Sequence, residues 1–368
     1  MKHKALKICR VGSMEAKARL HIKKVIETKR HGNIYHKICD WDNLLKAHKK
    51  ARRGKGWYKE VQMVDSKPDL YIGRLQESLI NKTYRTSEYS RFIRYDKGKE
   101  REIYRLPYYP DRICQWAIML QVEHIIINTL IYDTYASIPE RGIHVALDRV
   151  NQAMVHREGT RYCLKLDIKK YFPSVDQEIL KALLRRKFKD RDLLWLLDEI
   201  IDSAEAGIPI GNYLSQYLAN FYLAYFDHWL KGDKEVKYYF RYMDDIVILS
   251  DDKKRLHSLK RDIDSYLNDK LNLQVKGNWQ VFPTYVRGVD FVGYRSFGDY
   301  ILLRKSTAKN IKSKIRSINK RPLKPGDVNS VMSYKGWLKY CNSYNLQKRY
   351  LDPVIRRMEN EGAIECNA

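Results

Sequence analysis

The sequence predicts an α+β protein organised around a few short strands. Two strand-like runs, and the helix-patterned stretches between them, carry that expectation. Tyr238-Tyr-Phe-Arg-Tyr-Met-Asp-Asp-Ile-Val-Ile-Leu249 is aromatic and β-branched, and two adjacent carboxylates interrupt it. A run of that kind reads as strand, tight turn, strand. Arg161-Tyr-Cys-Leu-Lys-Leu-Asp-Ile168 is a second such run, with Asp167 near its end. Residues 183–201 and 213–230 follow a helical pattern and can bring the two strands side by side.

The remaining elements follow in chain order. Residues 15–27 are patterned as a basic helix, and 39–48 as a second. Lys49-Lys-Ala-Arg-Arg-Gly-Lys-Gly56 should break that second helix, as a phosphate-contacting loop or as a solvated linker. Ser90-Arg-Phe-Ile-Arg-Tyr and Arg101-Glu-Ile-Tyr-Arg-Leu flank Asp96-Lys-Gly-Lys-Glu100, which reads as a hairpin with a basic tip. The apolar stretch 113–132 is interrupted by Gln115, Gln121, Glu123 and His124, so a buried or amphipathic helix is expected rather than a membrane span. Ser250 followed by two acidic residues predicts another helix start, with the serine as cap. Beyond Lys305 the pattern is helical and basic, and aromatics interleave with lysines around Trp337 and Tyr340. A core-facing aromatic stripe is the alternative for those two rings.

The net charge of +26 is unevenly spread. Residues 1–60 carry +13, residues 301–368 carry +10, and the middle of the chain only +3. Basic ends around a near-neutral centre suit a polyanion gripped from both sides; a basic surface serving solubility alone is the alternative. Six scattered cysteines without a Cys-x-x-Cys pair argue against a disulfide framework and a zinc site. Met1 opens onto Lys2, His3 and Lys4 with no apolar run behind them, so a cytoplasmic location without a membrane partner is expected.

Burying Asp244 and Asp245 at a hairpin tip costs several kcal/mol, of order 5, unless cations or donors compensate. Asp167 adds a third hard oxygen ligand from another strand. Such a set can hold two divalent ions about 3.5–4 Å apart for in-line phosphoryl displacement. A solvated Asp-Asp turn is the alternative for the pair taken alone. Between the carboxylates lies Gly207-Ile-Pro-Ile-Gly-Asn-Tyr-Leu-Ser-Gln216, whose glycines let backbone approach a ligand closely.

The order Leu-Asp-Ile-x-x-Tyr-Phe, Gly-Ile-Pro-x-Gly-x-x-x-Ser and Tyr-Met-Asp-Asp resembles motifs A, B and C of reverse transcriptases. Arg287-Gly-Val-Asp-Phe-Val-Gly-Tyr294 resembles their primer grip, and Arg101-Glu-Ile-Tyr with Asp111-Arg112 their fingers motifs. The resemblance spans roughly residues 40–350. It implies a right-handed fingers–palm–thumb polymerase with an antiparallel palm sheet, a helical thumb and a helical basic N-terminal extension. The implied limits are 1–60 for the extension, 61–160 for the fingers, 161–302 for the palm and 303–368 for the thumb. No room is expected for an RNase H domain.

Within that family, Ile210-Gly-x-x-x-Ser-Gln216 departs from the usual Gln-Gly-x-x-x-Ser-Pro and is similar to reverse transcriptases of diversity-generating retroelements. Trp279-Gln-Val-Phe-Pro and Leu303-Arg-Lys-Ser-Thr look like the same group. The resemblance implies error-prone copying of a template-repeat RNA, with mistakes opposite adenine, into cDNA that rewrites a variable gene. It also implies dNTP substrates and a small basic, oligomeric accessory variability protein as partner. An ordinary reverse transcriptase of a retron, CRISPR-linked or defence system is the alternative, and an RNA-binding scaffold with a weak site is another.

The same resemblance assigns roles. Asp167, Asp244 and Asp245 are implied as catalytic carboxylates that hold two Mg²⁺ ions, or Mn²⁺ in their place, with the Ile168 carbonyl completing one site. Arg101, Phe172, Ile210, Gly211, Gln216, Tyr242 and Met243 are implied around the nucleotide. Phe172 falls at the sugar gate and Arg101 over the phosphates, with Lys97 and Lys99 as substitutes. Arg141, Gly293, Tyr294 and Trp337 are implied along primer and template. Lys276 is a candidate general acid for pyrophosphate. Plain core packing is the alternative for Phe172 and for Ile210.

Overall fold

The computed structural model describes residues 30–96 and 99–363. The expected helix at 15–27, Lys97, and the side chains of Lys99 and Arg101 lie outside the described residues. The chain divides into two units, each assembled from separate stretches of sequence.

The first unit takes the chain up to Tyr132, then Ile168–Glu235 and Asp262–Val275. At its centre is the helix Ile113–Ile127, apolar on nearly every side and buried along most of its length. An all-round apolar helix has to be enclosed, and Trp41–Ala51 and Tyr213–Tyr222 pack on it. Among the described residues no helix is long and apolar enough to cross a membrane. The expected hairpin is present: β1 (Ser90–Asp96) pairs antiparallel with β2 (Lys99–Arg105), Ser90 opposite Arg105.

Within the first unit, three helical stretches differ from the expectation. The second helix runs Trp41–Ala51, so Lys49 and Lys50 lie in its last turn, where cations favour the helix dipole. Asp40 caps its start, accepting from the Asn43 amide at 3.1 Å. Residues 183–201 form two helices, Gln177–Lys187 and Arg191–Asp202. Long-range pairing causes the break: His31 donates to the Lys187 carbonyl at 2.9 Å, and Lys189 donates back to the His31 carbonyl at 2.7 Å. Asp190 then starts the next helix while accepting from the Ile34 and Tyr35 amides at 2.6 and 2.9 Å. Residues 213–230 likewise divide at Leu223, into Tyr213–Tyr222 and Ala224–Gly232.

The second unit takes Asp133–Asp167, Val236–Arg261 and the chain from Lys276 onward. Its main sheet comprises β3 (Tyr162–Asp167), β4 (Tyr238–Tyr242), β5 (Asp245–Ser250) and β6 (Gln280–Pro283). The spatial order is β4-β5-β3-β6, and every neighbouring pair is antiparallel. Ala146, Val150 and Met154 of the helix Ile143–Met154 share a core with Cys163, Phe240, Val247, Leu249 and Phe282. Each large side chain enclosed in this way contributes about 1.5–3 kcal/mol. Asp252, not Ser250, caps the helix Lys253–Leu271, accepting from the Lys254 amide at 2.7 Å. Ser250 instead ends β5, and its hydroxyl accepts from the Asp252 amide at 3.1 Å.

A second sheet of three short strands follows, β7 (Val289–Phe291), β8 (Tyr294–Ser296) and β9 (Ile301–Leu303), joined antiparallel in that order. The helices Lys305–Asn319, Pro325–Leu338 and Asp352–Asn360 then enclose their own core of Ile311, Ile315, Ile318, Val331, Leu338, Val354 and Met358. The α+β class, the antiparallel sheet and the helical C-terminal region are as the sequence predicts.

Candidate active site

β4 ends at Tyr242 and β5 begins at Asp245, leaving Met243-Asp244 as a two-residue turn. Such turns need a left-handed residue at their first position, usually glycine. Here Met243 occupies it with φ +57°, at a cost of about 1–3 kcal/mol. Arg241, fully buried, donates from Nη1 to the Met243 carbonyl at 3.1 Å and so helps hold the turn. Across the sheet, Asp167 at the end of β3 stands directly opposite Asp245. The strand register therefore brings two of the three predicted carboxylates onto one face, with the third in the adjoining turn.

Electrostatics single out the same place. The Asp244 carboxyl is pushed up to about 6, first by burial and then by the negative charge of Asp167. Asp245 is also raised, chiefly by burial, with Lys165 opposing the shift. Lys276 forms an ion pair with Asp167, and its amide donates to the Asp167 carbonyl at 2.9 Å. Lys165 Nζ lies 3.2 Å from Asp245 Oδ1 and 3.3 Å from Oδ2. The Oδ1 approach is close but lacks hydrogen-bond geometry, and that buried oxygen has no hydrogen-bond partner.

Among the described residues no group of three or more His, Cys, Asp or Glu side chains is preassembled to hold a metal. The donor chemistry nevertheless fits a divalent cation: hard carboxylate oxygens, one of them orphaned, carry negative charge that two lysines only partly offset.

The other predicted residues fall in several places. Ile168 is buried and bridges Val275 in the first unit. Phe172 is half-buried in the short helix Tyr171–Ser174, its carbonyl accepting from the Ile208 amide at 3.0 Å. Ile210 is half-buried and its carbonyl accepts from the Tyr104 amide of β2 at 3.0 Å, so the glycine-punctuated loop docks on the hairpin. Gly211 makes this approach possible, since a Cβ there would strike the Tyr104 carbonyl, and its φ is +124°. Gln216 is exposed on the helix that follows. The Tyr242 ring packs against the core beside Phe240, and Met243 is buried in the turn. Arg141 is half-buried and bridges Ile138.

Gly293, Tyr294 and Trp337 come together. The Tyr294 ring is fully buried and stacks on Trp337, centroids 5.1 Å apart and planes 20° apart. Its hydroxyl donates to the Trp337 carbonyl at 2.9 Å. A Cβ on Gly293 would lie 2.6 Å from the Trp337 ring. These rings are packing partners, so what they can do for a strand of nucleic acid is to fix the Val292-Gly293 turn.

Sequence reasoning passed over Lys165 and Arg241, and gave Arg112 a place in a fingers motif but no chemical role. Lys165 precedes Asp167 by two positions, so strand periodicity alone puts both on one face. Arg112 lines a cavity of about 200 Å³ in the first unit with Lys55, Arg105, Tyr58, Tyr108 and Gly211. Burial pulls Arg112 downward, and burial together with Arg112 pulls Lys55 downward. Arg112 Nε is buried without a hydrogen-bond partner. Two like charges left in that state suit a phosphate, for which a guanidinium fork is well shaped.

The family described as reverse transcriptase (RNA-dependent DNA polymerase) matches residues 93–295, a span that holds all three carboxylates and the hairpin. The chain belongs to that family. Its antiparallel sheet and helical C-terminal region are those of a fingers–palm–thumb polymerase, and reverse transcriptase domains use divalent metal ions.

Similar proteins include the YkfC protein of Escherichia coli strain K12, 25% identical, covering 55% of this chain and 65% of its own. The retron Ec73 reverse transcriptase of Escherichia coli is 25% identical over 62% of this chain and 77% of its own. The group II intron-encoded protein LtrA of Lactococcus lactis is 26% identical over 45% of this chain, which spans 30% of LtrA. Among solved structures, telomerase from Candida albicans aligns with TM-score 0.47 and 11% identity, over 67% of this chain and 55% of that one.

Proposed function

We propose that this reverse transcriptase extends a DNA primer on an RNA template, using dNTPs and two Mg²⁺ ions. The observation that carries the reading is Asp167 facing Asp245 across the sheet, with the strained turn carrying Asp244 beside them. Asp167 and Asp244 would hold the ions, with Asp245 a weaker contributor and the Ile168 carbonyl a further ligand. The ions would acidify the primer hydroxyl and offset charge on the leaving pyrophosphate. Lys276, which pairs with Asp167, would be the general acid that passes a proton to pyrophosphate. Phe172 is assigned the sugar gate and Arg101 the incoming phosphates. The cavity of Lys55 and Arg112 supports contact with the nucleic-acid backbone. The fingers, palm and thumb limits at 61–160, 161–302 and 303–368 belong to this reading, and a cytoplasmic location suits it.

The finer assignment is a diversity-generating retroelement enzyme that copies a template-repeat RNA with errors opposite adenine, helped by a small basic accessory variability protein. Ile210-Gly-x-x-x-Ser-Gln216 supports it, because isoleucine offers only apolar contact where an amide would hydrogen-bond. Losing one such constraint is worth roughly 1 kcal/mol, or several-fold in discrimination. The similarity to a retron reverse transcriptase favours a second reading, an enzyme of ordinary fidelity.

The test is extension of a primer on a defined RNA, followed by cDNA sequencing scored by template base. Mg²⁺-dependent synthesis with errors concentrated at adenine is the expected result. Synthesis with errors spread evenly over the four bases, even with the native RNA and accessory protein, leaves the second reading. No synthesis under any divalent ion removes the polymerase assignment.

A further inference from the structure

The three carboxylates are not equivalent, and the difference lies in a lysine that the polymerase chemistry leaves unused. Lys165 sits on the same face of β3 as Asp167, its ammonium 3.2 and 3.3 Å from the two oxygens of Asp245. The same ammonium donates to the main-chain carbonyl of Asp290 in β7. Asp290 is itself fixed: Arg304 reaches its carboxylate at 2.6 Å through Nε and 2.5 Å through Nη2, and Arg295 stands 3.7 Å away. A continuous line of contacts therefore runs from Arg304 through Asp290 and Lys165 to Asp245.

Lys276 pairs with Asp167 under different conditions. Those two side chains are 35% and 36% exposed, and among the described residues the Lys276 ammonium has no second anchor. Lys165 and Asp245 are each 25% exposed, and Lys165 is anchored at both ends of its reach. A long, flexible side chain loses rotamer freedom when held in one place, so a lysine already tied down is the harder one to displace. An incoming cation can therefore draw Lys276 off Asp167 and leave its ammonium free to turn towards a bound substrate, whereas Lys165 is held on Asp245 by β7.

We infer that Lys165 is a positioning residue: a built-in cation that neutralises Asp245, ties it to β7, and leaves direct ligation of divalent ions to Asp167 and Asp244. The inference rests on the reading of this face as a metal-dependent polymerase site. It assigns Lys165 no part in proton transfer. Its consequence is that the ammonium sets how strongly the face attracts cations, because a fixed positive charge beside Asp245 opposes a second one.

The test is Mn²⁺ binding to the purified full chain without nucleic acid, followed by the loss of the free-ion paramagnetic resonance signal. Wild type, Lys165→Met, Lys165→Gln, Lys165→Arg and Asp244→Asn are compared. With the ammonium gone and Asp245 free to ligate, Mn²⁺ should bind about ten-fold tighter to Lys165→Met and Lys165→Gln. Lys165→Arg, which keeps the charge, should stay near wild type. A lysine that served only to hold the fold would change melting temperature but not ion affinity. Affinity in the neutral variants equal to or weaker than wild type overturns the inference, and Lys165→Gln is sufficient for this if Lys165→Met does not fold. Asp244→Asn distinguishes the two possible failures. If it loses the bound Mn²⁺ while the lysine variants match wild type, only the role of Lys165 falls. If it binds Mn²⁺ as wild type does, the metal-site reading falls, and the inference with it.

Discussion

Asp167 and Asp245 are direct cross-strand partners, Cα opposite Cα on neighbouring antiparallel strands. Like charges directly opposite one another destabilise a sheet, and here both belong to a partly buried cluster. Asp244 in the adjoining turn adds a third carboxylate, raised to about 6 by burial and by Asp167. An arrangement this unfavourable for folding is intelligible as a cation site.

The contact between Ile210 and Tyr104 depends on Gly211. Gly211→Ala places a Cβ against the Tyr104 carbonyl and forces an L side chain to φ +124°. Backbone cannot yield as a flexible side chain can, so the β1–β2 hairpin should shift away from the loop. The expected outcome is at least a ten-fold fall in kcat/KM for dNTP, about 1.4 kcal/mol or more, with the melting temperature lowered by only a few degrees, about 2–4 °C. Steady-state extension and thermal melting check it; unchanged kcat/KM would show that the hairpin–loop contact is dispensable.

Much of this architecture was legible because it is local. The carboxylates interrupt runs of strand-forming residues, and the paired strands Ser90–Asp96 and Lys99–Arg105 are neighbours in sequence. Several of the missed features depend on partners far away in sequence. The helix break at Phe188 comes from pairing with His31, and helical periodicity cannot register a strand-like bridge to a residue so distant. Asp252 takes the cap because β5 retains Ser250 to its end. Tyr294 falls in the primer-grip motif, but its contacts with Trp337 and His144 were not legible there. Lys165 was within reach of period-two reasoning, but its tie to Asp290 was not.

Arg112 and Lys55 form the basic cavity of the first unit. If they meet a phosphate, Arg112→Gln should weaken RNA binding about equally for all sequences. The slope of log K against log salt should also become shallower by about one. Filter binding at a series of salt concentrations measures both; an unchanged slope would leave the cavity without a nucleic-acid role.

Asp327 secures the C-terminal helices. Arg321 grips both its oxygens at 2.7 and 2.8 Å, and the Lys324 amide donates to it at 2.8 Å. The Arg321 hydrogen bonds, followed by the Lys324 amide, hold its carboxyl down to about 2. A depressed carboxyl adds stability that is fully present above the ordinary carboxylate range, near about pH 4, and is lost as pH falls through the folded value. Asp327→Asn should therefore melt lower than wild type at pH 7, and the two melting curves should converge as pH approaches about 2. A gap that persists unchanged at low pH would contradict the assignment.

Ile210→Gln tests the fidelity reading. A restored amide adds a hydrogen-bonding constraint at the loop, so errors at template adenine should fall several-fold, the equivalent of roughly 1 kcal/mol. Equal adenine error rates in variant and wild type, read by cDNA sequencing on one template, would make Ile210 a packing residue.

The metal-dependent polymerase reading stands or falls with Asp244→Asn. The substitution is nearly isosteric and removes a charge that burial and Asp167 both oppose, so the fold should be retained. The measurement is primer extension on an RNA template with Mg²⁺, beside RNA affinity on the same preparation. Extension should fall by at least about a thousand-fold, some 4 kcal/mol of transition-state stabilisation, while RNA affinity stays within about two-fold of wild type. Extension at the wild-type rate by this variant would contradict the assignment of Asp244 to the reacting centre.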